Sequence, residues 1–229
     1  MCADIDLRPL IGANILDQAT RPTCVAFATS AAHEGLRGGS GTECSNLAPE
    51  ALWWHCTMAG VTSADGMLLN DIGLALDGPG QPELESWPYN PGLGDGTEDP
   101  PDSLADPPWH RARLVGLPLH HDGVEPSIET ALQDSHPVVL VVEVTGEFCL
   151  PDRLGIVAVP DVRARAGGYH AVVCVGAATH PTRGRTLLIK NSWGVSWGLG
   201  GYAWLPLEYL VAFAVQAAIV LDDKESGDG

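Results

Sequence analysis

Cys24 opens an alanine-rich run, and Gln18 stands six residues before it, in the stretch DQATRPTCVAFATS. A cysteine in the first turn of a helix lies near the positive end of the macrodipole, beside backbone N–H groups with no intrahelical acceptor, which favours thiolate over thiol. Such a sulfur can attack a carbonyl carbon. If the loop 19–23 folds back, the Gln18 carboxamide and the Cys24 main-chain N–H point at one spot and form an oxyanion hole. Alone, Gln18 is an ordinary loop residue and Cys24 a small apolar one, so the rest of the chain has to supply the other parts.

A thiol nucleophile needs a base. His170, in GGYHAVVCVGA, sits where glycines give way to an apolar strand, so its ring can project from a strand end into a cleft. His33, His55, His110, His120, His121, His136 and His180 fall on helix faces, in loops or beside proline, where structural roles suit them better. The His120-His121 doublet alternates across a strand and makes a poor metal chelate, and no metal or other cofactor is expected. Asn191, in IKNSWGVSWGLGGY, can accept from one imidazole nitrogen and leave the other facing sulfur, while Trp193 roofs that bond against water.

These residues need elements to hold them. A helix is predicted from Thr23 or Cys24 to about Leu36, stopping at Gly38 and Gly39. A second lies in LAPEALWWHC with Pro49 in its first turn, and a third in MLLNDIGLALDG ends at Gly78. From 78 to 108 the chain is dense in Pro, Gly and acids and reads as an exposed irregular connection. RARLVGLPLH reads as a strand, EPSIETALQD as a short helix and PVVLVVEV as a buried strand. HAVVCVGA and RTLLIKNSW are strands joined by the turn ATHPTRG, and GYAWLP and VQAAIVL complete the pattern. A helical first half and a strand-rich second half make an α+β protein of two unlike lobes.

Composition narrows the partners. The 229 residues, 45% hydrophobic, suffice for one large domain or two small lobes. A net charge of -17 repels phosphate backbones and anionic membranes, so neither nucleic acid nor membrane is expected as a partner. The first residues lack an apolar signal core, and the longest apolar run, 210–221, is short of the roughly 20 residues of a membrane helix. A soluble protein made without export, and so a cytoplasmic one, is the expectation. Cys2, Cys24, Cys44, Cys56, Cys149 and Cys174 form no Cys-x-x-Cys pair, and most read as buried free thiols.

Taken together, the blocks resemble the papain-like cysteine peptidases. DLRPLIGANILDQATRPTCVAFATSAAHE looks like the start of a bacterial-style mature domain without a propeptide, and LAPEALWWHC like the second helix of the family. ESWPYN resembles the Tyr-Pro-Tyr segment, and YHAVVCVGA and LLIKNSWGVSWGLGGYAWL the His and Asn blocks. The resemblance implies a two-lobed fold, with a mostly helical left lobe, an antiparallel β-barrel-like right lobe and the active site in the cleft between them. It makes 1–229 a single catalytic domain, with a helical lobe about 12–105, a β-rich lobe about 109–221 and a flexible acidic tail 222–229.

By the same resemblance Cys24 is the nucleophile, His170 the acid–base partner, Asn191 the orienting residue and Gln18 the oxyanion donor. Gly66 stands where the family pairs a glycine with substrate backbone, and Met67, Val141, Tyr169 and Ala171 are pocket walls, with Trp193 beside the site. The chain also departs from the pattern. Arg21 occupies one half of a common family disulfide and Val25 replaces the usual aromatic after the nucleophile. The missing disulfide fits a reducing compartment. The implied activity is thiol-dependent hydrolysis of a peptide or protein substrate. Transfer of the same acyl group to an amine in peptide assembly, and a non-catalytic peptide-binding module, are its alternatives. Oligomeric state is not legible.

Overall fold

The computed structural model describes residues 3–41, 45–161 and 167–222. The chain begins with a two-residue strand β1 (Ile5–Asp6), followed by three helices, α1 (Cys24–Gly39), α2 (Pro49–Met58) and α3 (Leu69–Asp77). The remaining elements are β2 (Arg113–Leu117), α4 (Pro126–Gln133), β3 (Val138–Glu143), α5 (Gly146–Cys149), β4 (Tyr169–His180), β5 (Gly184–Lys190), β6 (Tyr202–Pro206), α6 (Leu207–Phe213) and β7 (Ala214–Leu221). The fold is α+β, with an antiparallel sheet in the order β2-β7-β3-β4-β5-β6 and β1 paired to β4.

The period of two in the strands builds two cores from one sheet. Val139, Val141, Ala171, Val173 and Val175 face α1, α2 and α3, where Ala26, Ala28, Ala32, Leu52, Trp53 and Ile72 meet them. Val138, Leu140, Val142, Val172 and Cys174 face the other way, onto Ile128 and Leu132 of α4 and Leu210 and Phe213 of α6. Every residue of β3 is therefore buried, which is why it reads as an unbroken apolar run. Each such side chain contributes roughly 1.5–3 kcal/mol by leaving water.

The small alanines of α1 let it lie close against β3, β4 and β7, and this contact fixes Cys24 relative to the strand that carries His170. α1 runs through Gly38 and Gly39 rather than stopping at them. The Ser40 N–H still bonds the Leu36 and Arg37 carbonyls, and the turn comes at Gly41, where φ is 80°. α3 ends as expected, capped at Gly78.

The 78–108 connection is irregular, with one short 3-10 turn at Pro91–Leu93, but not uniformly exposed. Gly80, Gln81 and Trp87 are buried, and the Trp87 ring packs edge-on against Trp54 and Trp109. Three elements were not anticipated: β1, α5 and α6. α5 is started by Thr145, whose Oγ1 accepts the Phe148 N–H at 3.2 Å. α6 ends within the apolar run 210–221, ahead of the expected strand VQAAIVL, and gives way to β7 at Ala214.

Candidate active site

Cys24 is the first residue of α1, preceded by a strap, 17–23, that contains no helix or strand and only an isolated antiparallel bridge between Asp17 and Trp193. Thr23 stands at the N-cap position, and its carbonyl accepts the Phe27 N–H at 3.1 Å, but its side chain bonds no α1 N–H; its Oγ1 lies 2.9 Å from the Tyr89 hydroxyl instead. The strap is sewn down at several points. Gln18 N–H donates to the Ser192 carbonyl at 2.8 Å, Ser192 Oγ to Gln18 Oε1 at 2.6 Å, and Gln18 Nε2 to the Arg21 carbonyl at 2.7 Å. Tyr89 Oη donates to the Gln18 carbonyl at 2.9 Å. Ala19 is held at a φ of 53°, in the left-handed region that a Cβ disfavours.

His170 is the second residue of β4, where register sets it opposite Val142 of β3. Its Nε2 lies 2.7 Å from Asn191 Oδ1. Because that oxygen only accepts, Nε2 carries the proton and Nδ1 is left as the basic nitrogen. Asn191 Oδ1 also accepts the Ser192 N–H at 2.8 Å, which fixes the amide orientation. The Trp193 ring lies 4.5 Å from the imidazole, centroid to centroid, and Phe148 packs edge-on at 6.1 Å. His170 and Asn191 are both almost wholly buried.

Electrostatics correct one expectation. Burial pushes the Cys24 thiol up, although N–H groups of Ala171, Val25 and Cys24 itself pull it down. The helix start thus acts on the sulfur as anticipated, but desolvation outweighs it. Burial likewise pushes the His170 imidazole down to about 4, against the Asn191 hydrogen bond. Burial thus favours the neutral form of both groups.

Cys24 and His170 line one cleft of about 560 Å³, together with Gly66, Met67, Val141, Tyr169 and Ala171. The Ala171 N–H that bonds the sulfur belongs to the residue next to His170, so helix start and strand start meet directly. Trp193 and Gln18 do not line this cleft. Trp193 lines a separate hollow of about 390 Å³ with Cys149, Leu150 and Trp197. Gln18, 7% exposed, is part of the strap, with its amide held between Ser192 Oγ and the Arg21 carbonyl. Gly66 has a φ of 107°, and a Cβ there would come within 3.0 Å of the Pro22 carbonyl. Its main-chain N–H and carbonyl are already bonded to Ser63, which leaves little backbone there for a substrate.

Four of the seven competing histidines have partners elsewhere. His33 Nδ1 lies 2.8 Å from Gln81 Nε2, and burial pushes its pKa down to about 3. His110 pairs with Glu83, His120 with Glu125, and His121 Nδ1 approaches the Leu210 carbonyl. Among the described residues no cluster could hold a metal ion. Cys24, Cys56, Cys149 and Cys174 are free thiols; Cys56 and Cys174 are buried as expected, whereas Cys149 is exposed, and Cys2 and Cys44 lie outside the described residues.

Sequence reasoning missed the parts that steady the strap: Arg21 as more than an absent cysteine, Tyr89, Glu50 and Ser192. Tyr89 lay within a recognised segment, and an arginine three residues before Cys24 in an acidic chain was the available signal for Arg21.

A model described as papain family cysteine protease matches residues 2–209. Over 91 residues, 40% of this chain, it is 31% identical to silicatein of Petrosia ficiformis. Over 85 residues, 36% of this chain, it is 36% identical to an uncharacterized peptidase C1-like protein of Acanthamoeba polyphaga mimivirus. Each match covers 26% of the relative, so the chain spans about a quarter of the length of the curated relatives it matches. Xylellain, a cysteine protease from Xylella fastidiosa, superposes with a TM-score of 0.79 at 22% identity, over 96% of this chain and 86% of that one. Digestive procathepsin L 3 of Tenebrio molitor larval midgut gives 0.69 at 21%, over 94% and 69%.

Proposed function

The chain belongs to the papain family of cysteine proteases, and from that premise we propose that it hydrolyses peptide bonds through Cys24. One observation carries the reading. The sulfur at the start of α1 and the imidazole at the start of β4 share a cleft, with Nε2 of that imidazole committed to Asn191.

In this mechanism His170 Nδ1 takes the Cys24 proton as sulfur bonds to the carbonyl carbon. The oxyanion is met by the Cys24 main-chain N–H and by the second N–H of the Gln18 amide, the first being committed to the Arg21 carbonyl. The C–N bond breaks as the imidazolium returns its proton to the leaving amine, which leaves a thioester on Cys24. Water, deprotonated by the same nitrogen, then releases the acid and regenerates the thiol. Asn191 keeps the ring in one tautomer throughout, and the Trp193 ring covers the bond that does so.

The substrate is a peptide or protein whose side chain enters between Met67, Val141 and Ala171. A mixed peptide library incubated with wild type and Cys24→Ala, read by mass spectrometry, tests the assignment. Cleavage and iodoacetamide labelling of the active thiol should vanish together in Cys24→Ala, with the melting temperature preserved. Peptide cleavage that survives the substitution refutes the role of Cys24.

A further inference from the structure

Arg21 is fully buried in a chain with twenty-nine acids and twelve bases, and every one of its donors is used. Nε bonds the Gly94 carbonyl at 3.1 Å, one terminal nitrogen bonds the Asn90 carbonyl at 2.9 Å and Glu50 Oε2, and the other bonds the Gly96 carbonyl at 2.8 Å and Glu50 Oε1 at 3.0 Å. That is five N–H groups for five acceptors, the full capacity of a guanidinium. Glu50 is as deeply buried and is held further by Thr97 Oγ1 at 3.0 Å. Trp53 Nε1 adds a bond to the Gly96 carbonyl at 3.0 Å. The loop 90–97, with neither helix nor strand beyond its short 3-10 turn, is gathered around this one cation.

The node reaches the oxyanion donor by two routes. The Arg21 carbonyl is the acceptor for Gln18 Nε2, so wherever Arg21 is pinned, one proton of the Gln18 amide is aimed. The guanidinium also lies 4.6 Å from the centroid of the Tyr89 ring, and the Tyr89 hydroxyl bonds both the Gln18 carbonyl and Thr23. A planar, five-donor cation over an aromatic face is a rigid anchor that an ammonium does not reproduce.

We propose that Arg21 is a positioning residue whose saturated ion pair with Glu50 fixes the Gln18 amide in the direction the oxyanion requires. The inference rests on the protease reading above and adds the part that holds its electrophilic half in place. The node contains no sulfur, so reductant and oxidant leave it intact.

The test is a double-mutant cycle on the full chain, using a peptide amide substrate identified for the wild type. Gln18→Ala should lower kcat by about 10²-fold, the loss of one oxyanion donor. Arg21→Lys, which keeps the charge but offers three donors in place of five, should lower kcat about tenfold with KM little changed. In the Gln18→Ala background, Arg21→Lys should cost less than about twofold more, because the residue through which it acts is gone. Cys24 alkylation by iodoacetamide, which forms no oxyanion, should keep its wild-type rate in Arg21→Lys.

Additive losses, or alkylation that falls in parallel with kcat, would overturn the inference. Should Arg21→Lys fail to fold, Arg21→Met with Glu50→Leu removes both charges together, a change that cores tolerate. That variant should melt near wild type yet show the same non-additivity with Gln18→Ala, and a wild-type kcat in it is equally fatal. A wild type that neither cleaves peptides nor labels at Cys24 fails earlier, and takes the protease reading down with this one. Turnover by wild type alongside an unaffected Arg21→Lys sinks only the positioning role.

Discussion

On one side of the cleft His170 sits in β4 and Asn191 directly after β5, strands whose backbone ladders fix their register. On the other, Gln18 and the approach to Cys24 lie in a strap with a single bridge in place of a ladder, held otherwise by side-chain bonds, several of them to distant parts of the chain. The first arrangement spreads its hold over many equivalent backbone bonds, each worth about 1 kcal/mol net. The second concentrates it in Arg21, Glu50, Tyr89 and Ser192. A substitution on the sheet side should therefore alter chemistry with little loss of fold, and one at the polar node should threaten the fold itself.

Acid gives the largest expected effect and acts on buried histidines rather than on the node. The folded-state pKa values of His170 and His33 lie at about 4 and about 3, below the ordinary value near 6.5. Between those limits the unfolded chain binds protons that the folded chain refuses, so stability rises with pH across the window and is lost as pH falls through it. Each pH unit there costs about 1.4 kcal/mol per histidine. Urea midpoints measured from pH 7 to pH 4 should fall steadily, and a flat profile would show that these rings are not held neutral.

Next comes Glu50→Leu, which strands the buried Arg21 charge and should cost about 3–5 kcal/mol of stability. Chemical denaturation measures it, and a loss below about 1 kcal/mol, the range of an exposed pair, would erase the contrast drawn here. Asn191→Ala should have the smallest effect on the fold, leaving the melting temperature within a few degrees because the neighbouring ladder bonds persist. Its kcat/KM should drop roughly tenfold, equivalent to about 1.4 kcal/mol of transition-state stabilisation. A large melting shift with unchanged kinetics would place Asn191 among structural residues and reverse the comparison.

What could be read from the chain follows the same division. The helices α1 to α3 and strands β2 to β7 were legible because periodicity and Pro/Gly punctuation are local properties, as were Cys24, His170 and Asn191 at their edges. The short elements β1, α5 and α6 were not, since two to seven residues carry too little periodicity and α6 shares an apolar run with β7. The depth of the cleft was also hidden, and with it the rise of the Cys24 thiol, because desolvation depends on what packs from elsewhere. Arg21 looked like a gap in a pattern. Its five acceptors come from Glu50 and the loop 90–97, and no spacing rule connects residue 21 to residue 94.

The place of β7 in the sheet bears on how the molecule is made. This strand, near the end of the chain, lies between β2 and β3, and its Gln216 stands beside Val141 in the wall of the cleft. During synthesis α1 leaves the ribosome long before that wall can exist, and β3 waits with one open edge. A chain still short of residue 214 thus holds the Cys24 thiol beside an unfinished groove, and the cleft is completed only once β7 has joined the sheet.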